Sequence, residues 1–227
     1  MLWTEKYRPS KLSDIAGQEH FVLDAEQWVL EKNMPNVLAY GVAGTGKTGA
    51  AIALAKSILG NTFKDNFFEV NASDDRRLET VRTTIKQVAQ SGTLGDAPFR
   101  IMLLDEMDGM TSDAQNALKR IMERYASNIR FIITCNDKSR IIFPLQSRCA
   151  NYRFNPLKNE IVLEVIKNIL DKEQVVGFAD EDLARFIYDL DGDLRRAITE
   201  IQAAKASNFT LRKQVQDSLK EFDAILN

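Results

Sequence analysis

At 227 residues the chain is long enough to bury one sizeable core and a smaller companion. Apolar residues make up 44% and charged residues 27%, as in an ordinary soluble globular protein, and the net charge of −2 excludes a globally basic nucleic-acid binder, so any DNA contact must come from a local basic patch. Two cysteines without metal spacing, Cys135 and Cys149, and a lone histidine, His20, exclude a disulfide scaffold and a zinc site.

Short β-rich or apolar runs alternate with helical patterns along the first two thirds of the chain. Strands are expected at residues 36–40, 67–71, 100–105, 129–134 and 150–154, with helices at 49–59, 78–90 and 113–125. In the last of these, Ala114, Leu118, Ile121, Met122 and Tyr125 form one apolar face at helical spacing. Such alternation predicts an α/β fold, with a five-stranded parallel sheet covered on both faces. Composition changes near Asn155-Pro156, and from Lys158 onward the patterns are helical. Ile161, Val162, Val165, Ile166 and Ile169 mark one helix, and Leu183, Phe186, Ile187 and Leu190 another. Leu194, Ala197, Ile198 and Ile201 mark a third, and a weaker pattern of Leu211, Val215, Leu219 and Phe222 closes the chain. The expected domains are therefore a nucleotide-binding α/β domain over residues 1–155 and a small helical lid over 156–227. With neither a leader nor an apolar run long enough to cross a bilayer, a soluble intracellular protein is expected.

Gly41-Val42-Ala43-Gly44-Thr45-Gly46-Lys47-Thr48 fits the phosphate-binding loop G-x-x-x-x-G-K-[ST] in full, and Gly49 opens the helix behind it. It follows an apolar strand pattern and precedes a helical one, the context that the motif requires. The glycines let successive N–H groups turn inward as a nest for phosphate oxygens, and the following helix directs its positive end at the same anion. Lys47 is expected at the β- and γ-phosphates and the Thr48 hydroxyl on Mg²⁺. ATP and Mg²⁺ are the expected ligands.

Ile101-Met102-Leu103-Leu104-Asp105-Glu106 reads as a buried parallel strand ending in two acids, and ligands gather at the carboxyl ends of such strands. Asp105 is expected to help hold Mg²⁺, and Glu106 to orient and deprotonate an attacking water. A second buried strand ends at Asn136, whose amide could bond the γ-phosphate, though an Asn after a strand is also a common turn former. Arg148, in Ser147-Arg148-Cys149, and Arg195, in Gly192-Asp193-Leu194-Arg195-Arg196, are candidates to stabilise charge on a transferring phosphoryl group. A surface salt bridge is the alternative for each.

Taken together these segments resemble the AAA+ ATPases and, within them, the small subunits of replication factor C. Trp3-Thr4-Glu5-Lys6-Tyr7-Arg8-Pro9 is similar to that family's opening motif, and Asp14-Ile15-Ala16-Gly17-Gln18 to the segment after it. Asn71-Ala72-Ser73-Asp74, Asp105-Glu106-Met107-Asp108, Asn136, Ser147-Arg148-Cys149 and Gly192-Asp193-Leu194-Arg195 follow in the family's order. The Ser-Arg-Cys triplet discriminates most, being a clamp-loader feature.

The resemblance implies that Tyr7 and Arg8 lie against the nucleotide. It implies that Arg148 reaches a neighbouring subunit's ATP, and that Arg195 touches the γ-phosphate of its own. The implied partners are other clamp-loader subunits, the sliding clamp and primer–template DNA, with Arg77, Arg82 and Lys86 as candidate DNA contacts. Backbone contacts of that kind give sequence-independent, salt-sensitive binding.

The chain departs from the family at Val42-Ala43, where two prolines or Pro-Ala are usual, at Met107, at Arg77, and in ending before the expected helical collar. A nucleotide-binding subunit without turnover, and another AAA+ DNA-processing ATPase, are the alternative readings.

Overall fold

The computed structural model describes residues 1–72 and 78–206, with side chains described outside 78–82 and 206. Five strands, β1 (Val37–Tyr40), β2 (Phe67–Asn71), β3 (Arg100–Asp105), β4 (Ile129–Cys135) and β5 (Ala150–Arg153), form one parallel sheet in the order β2-β3-β4-β1-β5. All five lie within two residues of the expected bounds. Side chains alternate across the sheet, so Val37, Ala39, Ile101, Leu103 and Ile132 enter one apolar cluster. Leu38, Met102, Leu104, Phe131 and Ile133 enter the other. A strand buried on both faces has no polar side to show, and hence reads as an unbroken apolar run. Each large aliphatic side chain so buried stabilises the fold by about 1.5–3 kcal/mol.

Helices cover both clusters. α3 (Lys47–Leu59) places Ala50, Ala51, Leu54, Ala55, Ile58 and Leu59 in the first. α6 (Ser112–Arg124) places Ala114, Leu118 and Met122 in the second, where α5 (Leu78–Gln90) adds Ile85, Val88 and Ala89. Thr111 caps α6, its side chain accepting from Ala114 N. A helix absent from the sequence expectations, α2 (Glu19–Glu31), buries Phe21 and Ala25 against the first cluster. Its charged positions hide an apolar stripe of Phe21, Ala25 and Trp28 at helical spacing. Short helices α1 (Trp3–Lys6), α4 (Phe63–Asn66) and α7 (Phe143–Gln146) were likewise not expected.

The described residues fall into two compact units: Pro9–Asn155, and Met1–Arg8 with those from Pro156 onward. In the second, α8 (Asn159–Lys172), α9 (Asp180–Tyr188) and α10 (Leu194–Ala206) bury Val162, Ile166, Ile169, Leu183, Phe186, Ile187, Ala197 and Ile201. The expected first domain of residues 1–155 is thus corrected at its start, since the first eight residues group with the helices. Trp3 is the cause: its buried indole lies beneath the Lys205 ammonium, 5.1 Å from the ring centre, and its backbone N donates to Gln202 Oε1 at 2.8 Å. The expected fourth helical pattern, Leu211 to Phe222, lies outside the described residues. No helix among the described residues is long and apolar enough to cross a membrane.

Candidate nucleotide site

β1 runs directly into the glycine loop, and α3 leaves it at Lys47. Gly41 sits at φ +148°, and a Cβ there would stand 2.1 Å from Phe154 O, so the loop must open on a residue without a side chain. Gly46, at φ +91°, holds the left-handed turn before α3 and leaves the first N–H groups of that helix facing the loop. Thr45 Oγ1 donates to Val42 O at 2.9 Å and tightens the bend. Gln18, 1% exposed, donates from Nε2 to Asn155 O at 2.9 Å and to Thr45 O at 3.4 Å, which anchors the loop from behind.

The loop lysine and the strand ends meet. Lys47 is 8% exposed, and its Nζ donates to Gly41 O at 2.7 Å, Val42 O at 2.8 Å and Asn136 Oδ1 at 3.0 Å. Thr48 Oγ1 lies 3.0 and 3.2 Å from the two Asp105 carboxylate oxygens. A hydroxyl and a carboxylate converging this closely make a hard-oxygen pair of the kind that suits Mg²⁺. The N–H groups of the loop and of the first turn of α3 supply the complementary seat for an anion.

Asp105 also accepts from Thr134 Oγ1, and the same Thr134 oxygen accepts from Glu106 N at 3.2 Å. Glu106 adopts φ +54°, ψ +44°, a left-handed conformation uncommon for a residue with a side chain. Asn71, at the end of β2, donates from Nδ2 to Glu106 Oε2 at 3.4 Å. Asn71 and Thr134 were not among the expected site residues. Their approach follows from register, with Asn71 opposite Asp105 and β3 beside β4, which a linear sequence does not display.

The expected residues therefore divide. Lys47, Thr48, Asp105, Glu106 and Asn136 gather at the carboxyl ends of β1, β3 and β4. Arg148 lies just before β5, whose first residue, Ala150, pairs with Val37 at the opposite end of β1. Its guanidinium is held there by Glu123, with Nε to Oε1 at 2.9 Å and a second contact through Nη2, and by Pro144 O at 2.8 Å. Arg195, Tyr7 and Arg8 belong to the other compact unit. Arg195 is exposed in the first turn of α10, whose start Asp193 caps by accepting from Arg196 N at 2.9 Å. Tyr7 Oη donates to Glu173 Oε1 at 2.8 Å, and Arg8 pairs with Glu5 at 2.6 Å. Lys86 is exposed on α5, whereas Arg77, Ser73, Asp74 and the side chain of Arg82 lie outside the described residues. Burial pushes the thiols of Cys135 and Cys149 up to about 12, far from reactive thiolates.

Comparison with known proteins agrees with this geometry. The model of the ATPase family associated with various cellular activities (AAA) matches residues 37–157. The replication factor C small subunit of Methanothermobacter thermautotrophicus is 50% identical over 202 residues, 89% of this chain and 62% of that protein. Its counterpart in Methanococcus maripaludis strain C7 is 44% identical over 213 residues, 94% of this chain and 67% of that protein. The chain thus spans about two thirds of the length of these relatives. Among solved structures, the Thermotoga maritima RuvB Holliday junction branch migration motor aligns with a TM-score of 0.70 at 17% identity, covering 85% of this chain and 63% of that one. That likeness speaks to the fold alone. Identity of 44–50% over about nine tenths of the chain is narrower evidence than the family model, and with it the chain belongs to the AAA ATPases, among the small subunits of replication factor C.

Proposed function

We propose that the chain is an ATP-binding and ATP-hydrolysing clamp-loader subunit that, in company with other subunits, helps to load a sliding clamp onto primer–template DNA. The observation that carries the proposal is the convergence of Lys47, Thr48, Asp105, Glu106 and Asn136 at the glycine loop and the strand ends beside it. In this reading the loop N–H groups bind the phosphates, and Lys47 Nζ exchanges its carbonyl partners for β- and γ-phosphate oxygens. Thr48 Oγ1 and Asp105 hold Mg²⁺, which when bound neutralises charge on the phosphates. Glu106 accepts the proton of the attacking water, while Asn136 orients that water and the γ-phosphate. Tyr7 and Arg8 lie against the nucleotide and Arg195 against its γ-phosphate. Arg148, at the far end of the sheet from its own loop, serves a neighbouring subunit's ATP. Arg77, Arg82 and Lys86 contact the DNA backbone. The names of the relatives support the assembly and the clamp-loading role, and the site geometry supports the hydrolysis.

Glu106→Gln tests the hydrolytic assignment, because it removes the base while keeping the shape and one acceptor. ATP affinity should stay within about twofold while turnover falls at least ~100-fold. Both are read by equilibrium binding and steady-state phosphate release. Normal turnover in that variant would transfer the role of base to another group.

A further inference from the structure

Gln18 immediately precedes α2, at the position where Ser, Thr, Asp or Asn would cap a helix by accepting from its free N–H groups. Its side chain makes no such bond, so the start of α2 does not account for an amide there. The residue is buried, and its Nε2 lies between two main-chain carbonyls, Asn155 O at 2.9 Å and Thr45 O at 3.4 Å. These acceptors fix which way the amide faces, since the reversed group would set oxygen against oxygen. Oε1 is thereby left buried with no hydrogen-bond partner among the described residues, an arrangement that is unfavourable in itself. The residue is therefore explained by the two carbonyls that it holds.

Thr45 O belongs to the phosphate loop. Gly46 follows it at φ +91°, and glycine accepts φ of either sign, so little steric resistance opposes rotation of the peptide between them. In a planar trans peptide the C=O and the N–H point in opposite directions. Thr45 O is turned inward to the buried Gln18 amide, so the Gly46 N–H points the other way, to the side on which Gly46 is exposed. A rotated peptide would present a carbonyl oxygen on that side, and an oxygen repels the phosphate that an N–H attracts. Asn155, the last residue of the α/β unit, is a firm second anchor. Beside it, Phe154 N donates to Tyr40 O at 2.8 Å, and Phe154 O stands against Gly41.

We propose that Gln18 is a positioning residue for phosphate binding: by tying Thr45 O to the chain just after β5, it keeps the Gly46 N–H toward the anion. The inference rests on the reading that the glycine loop binds the phosphates of ATP. It is tested on the 227-residue chain with two probes, Mg·ATP and inorganic tripolyphosphate with Mg²⁺, the second having phosphates but no base. Binding is measured at a temperature where thermal melts show wild type and variants fully folded. A bond that only stabilised the fold would lower the melting temperature without changing the affinity of the folded protein. Gln18→Met keeps the length of the side chain and removes the donor, and should weaken both probes by the same factor, about tenfold. Gln18→Asn keeps the amide but withdraws it by one methylene. It should also weaken both in equal proportion, so the test stands if the methionine variant does not fold. Unchanged affinity for both probes in the folded variants would overturn the proposal, because the tie would then serve stability alone. A loss confined to ATP would overturn it too, by moving the role of Gln18 from the phosphates to the base. A wild-type chain that binds ATP but not tripolyphosphate would do the same, since the loop would not seat phosphates by itself. Failure of the wild type to bind either probe would instead remove the nucleotide reading on which the proposal stands.

Discussion

Gly41 is constrained twice, by a positive φ and by a carbonyl oxygen where a side chain would begin. Phe154 N donates to Tyr40 O at 2.8 Å, so β5 is drawn against the end of β1 and its next carbonyl occupies the space beside Gly41. Gly41→Ala must displace backbone rather than a flexible side-chain tip. It should cost about 2–4 kcal/mol and lower the melting temperature by roughly 4–16 °C, as differential scanning calorimetry would report. A change within 1 °C would mean that the loop opening relaxes freely. Val42, by contrast, is exposed, and it is its carbonyl oxygen that holds the loop by accepting from Thr45 Oγ1 and Lys47 Nζ.

At the scale of elements, the site is made by strand ends that terminate level with one another. Thr134, the penultimate residue of β4, bridges them by donating to Asp105 and accepting from Glu106 N. Thr134→Val keeps the shape but removes the acceptor of that N–H and one of the two hydroxyl donors to the carboxylate. The variant should lose about 1–3 kcal/mol of stability and lower the rate constant for hydrolysis more than the affinity for ATP, because Glu106 and Asp105 lose their common brace. Parallel thermal melts and steady-state kinetics check both. An effect confined to affinity would contradict that account.

The strands themselves were legible because burial on both faces leaves continuous runs such as Ile101 to Leu104. The phosphate loop was legible because its glycines answer to local backbone geometry. α2 was not, since Glu19, Asp24, Glu26 and Glu31 outnumber its buried face, and the burial of Phe21 against Phe154 and Tyr152 is a long-range event. Asn71 and Thr134 escaped for a related reason: their chemistry depends on which strands are neighbours. Gln18 reads in the sequence as one more polar residue before a helix, and its acceptors arrive from residues 45 and 155.

Across the whole molecule, the two groups on which the proposed reaction depends sit at opposite ends of the sheet. β1 is four residues long, so the start of β5, beside Arg148, is separated from the phosphate loop by on the order of 13 Å of strand. Glu123 and Pro144 O meanwhile hold the guanidinium on its own subunit. An arginine so placed does not reach its own loop, which is why the proposal gives Arg148 to a neighbouring chain's ATP and leaves Arg195 to its own.

The most direct test is ATP turnover per subunit across a wide range of protein concentration, with primer–template DNA present. If Arg148 completes a neighbour's site, as proposed, turnover per subunit should rise steeply with concentration and fall by about 10³-fold or more in Arg148→Ala. Appreciable turnover that is constant over the whole range would contradict it by indicating a self-sufficient site, and so would the absence of turnover at every concentration.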